Sequence, residues 1–215
     1  MPDHIKHHLT DDLLMSYSAG NLPEAFGLVV AAHVSMCDEC RARLGAFDTL
    51  GGSVIETCPG VEMDRGSLDA TLSKIAKAPP IALGAAPAPG VLPAPVRDYV
   101  GGDLEAVRWR PVGLGVKQSI LRTSKAATVR LLYIPAGAAV PDHGHHGTEL
   151  TLVLQGAFSD ECDRFAAGDI EIANEELDHT PVADIGADCI CLAATDAPLK
   201  FKGLLPRLAQ PFLRI

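Results

Sequence analysis

The chain has 215 residues, 47% of them hydrophobic, and a formal net charge of −9. That length accommodates two small domains, and the acidic balance argues against a protein that grips nucleic acid phosphates. No apolar run is long enough to span a membrane, and the polar, acidic start MPDHIKHHLTDD is unlike a signal or transit peptide, so a soluble cytoplasmic protein is expected.

Acid exceeds base in both halves: residues 1–77 hold 6 Lys+Arg against 11 Asp+Glu, and residues 98–215 hold 11 against 16. Such a surface is steered toward a basic partner, although plain solubility needs no partner. The first part of the chain has helical periodicity. Thr10 is placed to cap a helix carrying Leu13, Leu14 and Tyr17, with Gly20 to end it. Pro23 stands where a first helical turn tolerates it, and EAFGLVVAAHVSMC is apolar on most sides, as a buried helix is. A third helix fits DECRARLGAFDTL, closed by Gly51 and Gly52. After a loop with Pro59 and Gly60, SLDATLSKIAK places Leu68, Leu72 and Ile75 on one face of a short helix, a stripe with no evident home in its own domain.

Within these helices, HVSMCDEC has the spacing H-x3-C-x2-C: His33, Cys37 and Cys40. His33 and Cys37 are one helical turn apart and share a face. Zinc takes four N/S donors in a tetrahedron, so one more is needed; His8 is the candidate, with His7 and His4 as competitors. A closed four-donor site has no open position and is expected to be structural, stapling a domain too small to rely on its core alone. A redox C-x-x-C lacks the βαβ context it needs here, and inert buried cysteines are the remaining alternative.

Six prolines fall in residues 79–95, a composition suited to an extended, semi-rigid linker. Beyond it the period changes to two. ATVRLLYIPAG, ELTLVLQGAF, GDIEIA and ADCICLAA read as short strands between Gly, Pro, Asp and Asn, the pattern of a β-sandwich or barrel. At the mouth of one strand stands GAAVPDHGHHGTELTLVLQG. His143, His145 and Glu149 share parity, so they share a face, and His179 in DHTP is placed to join them from another strand. Three imidazoles and a carboxylate suit Zn, Mn, Fe or Ni. His146 breaks the parity and is expected to face outward. Cys189 and Cys191 alternate onto one face, either as small core residues or as an oxidisable pair near the metal. Cys58 and Cys162 carry no pattern.

The second constellation matches, residue for residue, the first motif of the cupin superfamily, G-x5-H-x-H-x3-E-x6-G from Gly137 to Gly156. The second cupin motif is weaker: Gly168-Asp169 opens it and His179 fills its histidine, but its Pro-x-Gly is absent and Ala183 stands where an asparagine is common. Taken whole, the chain resembles the ChrR family of anti-sigma factors. The likeness rests on HHLTDDLLMSYSAG, HVSMCDECRAR, VRWRPVGLGVKQSIL, PDHGHHGTELTLVLQG, DRFAAGDIEIA, HTPVA and DCICLAATDAPL. It implies zinc ligands His8, His33, Cys37 and Cys40, and cupin metal ligands His143, His145, Glu149 and His179, holding zinc or another divalent ion. It also implies a non-enzymatic protein that sequesters an extracytoplasmic-function sigma factor as a 1:1 heterodimer. Release would follow singlet oxygen or organic peroxide, sensed through the cupin domain.

The fold class expected is α+β in separate domains: a zinc-stapled helical anti-sigma bundle over residues 1–78, a proline-rich linker over 79–97, and a cupin β-barrel or sandwich over 98–215. Leu68, Leu72 and Ile75 are the candidate partner-binding residues, set in a partner groove as an amphipathic helix. No catalytic residue is assigned. The competing functions are a metal-dependent cupin oxygenase with a helical accessory domain, and a DNA-binding repressor. The repressor lacks the basic surface it needs, since DECRAR supplies only Arg41 and Arg43.

Overall fold

A computed structural model describes residues 4–79, 90–201, 203 and 210. Among the described residues five α-helices and a 3-10 turn (Leu104–Ala106) come first and twelve short strands follow, as the change of period implied. Thr10 caps α1 (Asp11–Ser18), its hydroxyl accepting the Leu13 N–H at 3.3 Å, and Gly20 at φ +70° turns the chain out. Pro23 precedes α2 (Glu24–Met36). The Cys37 thiol accepts the Cys40 N–H at 3.4 Å at the start of α3 (Asp38–Glu56).

That third helix does not stop at Gly51 and Gly52 as the sequence suggested; it runs on to Glu56. Glycine lowers helix propensity by about 1 kcal/mol relative to alanine without forbidding the conformation. The hydroxyls of Thr49 and Ser53 also bond back to the carbonyls of Gly45 and Thr49, adding links along the same turns. α4 (Ser67–Lys77) begins after Gly66 at φ +86° and carries no buried residue.

Much of the expected linker, residues 80–89, lies outside the described residues. Its end is not extended: Pro93 caps α5 (Ala94–Val100), and Pro95 falls in the first turn, where a missing N–H leaves no hydrogen bond unmade.

The strands are β1 (Arg110–Gly113), β2 (Val116–Ile120), β3 (Thr128–Ile134), β4 (His143–Gly144), β5 (Glu149–Gln155), β6 (Ala157–Ser159), β7 (Arg164–Ala166), β8 (Ile170–Ala173), β9 (Asp178–His179), β10 (Val182–Ala183), β11 (Cys189–Thr195) and β12 (Lys200–Phe201). A six-stranded antiparallel sheet has the order β1-β2-β3-β11-β5-β8. Two three-stranded sheets, β10-β6-β7 and β12-β4-β9, complete the cupin sandwich.

β5 and β11 are buried at every position but the last, because the large sheet is covered on both faces. Leu150, Leu152, Leu154, Ile190, Leu192 and Ala194 join the helices in one apolar cluster. Val153, Cys189 and Cys191 point the other way, into the cupin interior with Phe158 and Phe165. This explains why α2 is apolar almost all round: it meets α1, α3 and α5 on its helical sides and β3, β5 and β11 on the sheet. Glu24 at its start adds a polar tie, accepting from the Tyr99 hydroxyl at 2.8 Å and the Ser124 N–H at 2.6 Å.

Because one core runs through helices and sheet, unfolding is expected to be a single transition. Far-ultraviolet circular dichroism of the helices and fluorescence of the single tryptophan, Trp109, should give coincident curves. Leu192→Ala, at the junction, should shift both together by about 2–5 kcal/mol; separate movement of one curve would show two independent units.

Candidate metal centres

The junction of α2 and α3 builds the first centre. His33 lies in the last turn of α2, Cys37 at the hinge and Cys40 in the first turn of α3, while His8 arrives from the segment ahead of α1. Their donor atoms all lie within 4.8 Å of one another. His8 Nδ1 is 3.3 Å from the Cys37 sulfur and 3.6 Å from that of Cys40. His8 Nε2 faces Glu39 at 3.4 Å, the outer carboxylate that commonly orients a ligating imidazole. The competing histidines go elsewhere: His7 turns to Asp163 and Asp169, and exposed His4 bonds to the Ile5 carbonyl.

His33 is fully buried, and neither ring nitrogen has a hydrogen-bonding partner. Burial holds its imidazole down at about 4, helped by the neighbouring His8 and opposed by the nearby Gly168 backbone, so the ring is neutral with a lone pair to give. Burial, with repulsion from Cys37, pushes the Cys40 thiol up to about 11. Two thiols and a buried imidazole thus present soft donors to one point. A divalent ion ionises the thiols and occupies the lone pairs. The donor set is that of a closed structural zinc site.

The second centre lies in the cupin interior. β4 pairs with β9 so that His143 is opposite His179. The Nε2 atoms of His143 and His145 are 3.2 and 3.4 Å from that of His179. All three rings are buried. Bonds at the outer nitrogen orient two of the rings. Nδ1 of His143 donates to the Pro141 carbonyl at 2.9 Å, and Nδ1 of His179 lies 2.9 Å from Asp160 and 3.1 Å from Glu171. Burial lowers the His143 and His145 pKa values. It works the same way on His179, but the bond and charge of Glu171, with Asp160, reverse it and carry that ring to about 9. Burial raises Glu171 to about 7.

Glu149 stands beside this triad, outside its closely spaced set of donors. Its carboxylate lies 3.8 Å from His145 Nδ1 and accepts from the Thr151 hydroxyl at 2.9 Å. His146 is exposed, as parity required. A cavity of about 460 Å³ opens onto His143, His179, Glu149 and Glu171, with walls that include Val116, Leu132, Phe158 and Phe201. Cys191 also lines it, its sulfur 3.5 Å from that of Cys189. The bond to Cys189 and full burial keep the Cys191 thiol well above its ordinary pKa.

Sequence reasoning missed Asp160, Glu171 and Thr151, and named Asp169 only as the opening of a motif. Glu171 was accessible in principle, because it is a charged residue at an inward position of a period-two strand. Asp160 sits in the bend after β6 and no local pattern marks it.

A family model described as the ChrR cupin-like domain matches residues 98–197. Over 211 residues, 98% of this chain and 99% of the relative, the sequence is 59% identical to the anti-sigma-E factor ChrR of Cereibacter sphaeroides. The chain belongs to the ChrR family of anti-sigma factors. A crystal structure of Rhodobacter sphaeroides SigE in complex with the anti-sigma ChrR has a TM-score of 0.79 at 58% identity, covering 89% of this chain and 99% of that one. An RmlC-like cupin protein from Ralstonia eutropha JMP134 is 23% identical over 48% of this chain and 71% of its own, with a TM-score of 0.42. The region matched by the ChrR cupin-like model contains the whole second cluster, while the first lies ahead of it.

Elemental analysis of the full chain is expected to return two divalent ions. Cys37→Ala should lose one and His143→Ala the other, each leaving its counterpart in place; a single ion lost from both variants would show one shared site.

Proposed function

We propose that this chain is an anti-sigma factor that sequesters an extracytoplasmic-function sigma factor in a 1:1 complex and releases it under oxidative stress. The observation that carries the proposal is the face of α4. Leu68, Leu72 and Ile75 are 68%, 53% and 66% exposed, and Leu50, Val54 and Ile55 at the end of α3 are likewise uncovered. Two helices with bare apolar stripes, in a chain 59% identical to an anti-sigma factor over nearly its full length, suit helix-in-groove recognition. The charge of −9 favours a partner with basic polymerase- and DNA-binding regions. Among the described residues no helix is long and apolar enough to cross a membrane; the proposed place of action is the cytoplasm, where sigma factors meet polymerase.

In this reading residues 1–78 grip the partner, with zinc at His8, His33, Cys37 and Cys40 fixing the α2–α3 hinge. Residues 98–215 sense the signal through zinc or another divalent ion held by His143, His145 and His179, with Glu149 at its side. The trigger is singlet oxygen or organic peroxide. Bound metal supplies a Lewis acid at the floor of the cavity. The chain's own residues orient the His143 and His179 rings, through the Pro141 carbonyl and the Asp160 and Glu171 carboxylates, and line much of the cavity with apolar side chains. Cys189 and Cys191 are a second candidate for the oxidised group, favoured by their 3.5 Å separation and the place of Cys191 on the cavity wall.

A non-enzymatic regulator uses every feature of both parts. The cavity at the triad also favours a metal-dependent oxygenase, which would consume oxygen with an organic substrate and need no sigma factor; oxygen uptake by the iron-loaded chain tests it.

Leu72→Asp should weaken the sigma complex by about 2 kcal/mol or more, the loss typical of a central apolar anchor, with an unchanged unfolding midpoint because the residue is already half exposed. Undiminished affinity would remove α4 from the interface. His143→Ala and Glu149→Ala should inhibit normally in unstressed cells and release poorly under the oxidant, measured by a reporter of the sigma factor. Normal release from folded, cupin-metal-free variants would move sensing to Cys189 and Cys191.

A further inference from the structure

One short piece of backbone touches both clusters. The turn Gly168-Asp169 leads from β7 into β8. The Asp169 carboxylate is only 2% exposed. Its Oδ1 accepts the backbone N–H groups of Lys6 at 2.6 Å and His7 at 3.0 Å, and its Oδ2 accepts that of Ala166 at 2.9 Å. The Ile170 N–H donates to the His7 carbonyl at 3.3 Å, and the His7 ring packs against Phe165 with centroids 4.4 Å apart. A Cβ on Gly168 would lie 2.7 Å from Ile5, so the N-terminal segment is pressed directly onto this turn. The next residue along that segment is His8.

Two residues beyond Asp169, inside β8, Glu171 lies 3.1 Å from Nδ1 of His179. β8 is held in register by β5, Leu152 opposite Ile170 and Thr151 opposite Glu171. The segment is thus anchored in the large sheet, with one carboxylate on the backbone that leads to His8 and the other on His179.

We propose that the segment Gly168–Glu171 is a positioning element that links the two centres: Asp169 holds the N-terminal segment that delivers His8 to the first, Glu171 holds His179 in the second, and occupancy of the cupin centre sets how firmly the N-terminal centre is held. Carboxylates that orient ligating groups govern metal retention although they do not touch the ion, and charge-assisted bonds to backbone N–H groups are among the stronger hydrogen bonds available. An ion at the imidazoles would fix the His179 ring and with it Glu171; without one, a shift of that pair would be felt two residues away at the Asp169 clasp. The proposal rests on both clusters being metal centres.

The test uses the full chain loaded with cobalt(II). Thiolate-to-cobalt charge transfer arises at Cys37 and Cys40, whereas the cupin cluster is three imidazoles, so that band follows the N-terminal centre alone. Its decay into excess chelator is measured for the wild type, His143→Ala, Asp169→Ala and the double variant. Asp169→Ala should speed the decay about tenfold. His143→Ala should change it at least threefold in the wild-type background and leave it unchanged in the Asp169→Ala background. Equal effects of His143→Ala in both backgrounds, or none in the wild type, overturn the link. If Asp169→Ala does not fold, the link is read from wild type against His143→Ala alone, by the decay of the band and by exchange at the clasp. Hydrogen exchange at the Lys6 and His7 amides gives an independent readout: faster exchange in His143→Ala supports the link, and unchanged exchange contradicts it. Cobalt content on the same samples separates the two levels, since a wild type with one ion per chain overturns the metal-centre reading itself and the link with it.

Discussion

The Nε2 atoms of buried His143 and His145 converge on that of His179, at 3.2 and 3.4 Å, so close that a shared proton or a bound cation has to lie between them. A similar crowding forms the first centre, where two thiols and two imidazoles meet in one cluster. Much of the local architecture serves these two crowdings. The β4–β9 pairing places His143 opposite His179. The break between α2 and α3 falls at Cys37, whose sulfur both caps a helix and enters the cluster.

Between the clusters lies α2, with the zinc-type histidine in its last turn and the cupin sheet against its side. A signal that disturbs the cupin interior therefore has a short path to the helices. Leu152 and Thr151 are neighbours on β5, one packed in the core shared with the helices and the other opposite Glu171. The surface that meets the proposed partner is on α4 and the end of α3, which contribute almost nothing to this core. Grip and sensing are thus built on different residues of one continuous body, which allows a loss of one without collapse of the other.

The clusters were legible because ligand geometry imposes spacing on sequence. His33, Cys37 and Cys40 follow from one helical turn, and His143 and His145 from strand parity. His8 needed the structure to separate it from His7 and His4, since an isolated histidine in an extended segment carries no period. Glu149 had the right parity, yet its carboxylate is turned to Thr151 and lies beside the triad. The run through Gly51 and Gly52 was misjudged because intrinsic propensity is a weak term that local bonding overrides. The packing of α2 on the sheet was half visible: its all-round hydrophobicity said that something covers every face, and only the tertiary structure says that the cupin strands cover one of them. Asp169 was noted as part of a weakened motif; its clasp on Lys6 and His7 spans over 160 residues of sequence and leaves no local trace.

The central claim is that this chain holds a sigma factor on its α3–α4 face while the cupin centre stays clear of the partner. Hydrogen–deuterium exchange of the full chain, with and without the cell's own extracytoplasmic-function sigma factor, tests it most directly. The account predicts strong new protection across residues 67–77 and the end of α3, with the strands that carry His143 and His179 unchanged. Protection confined to the cupin strands, or none anywhere, would contradict it.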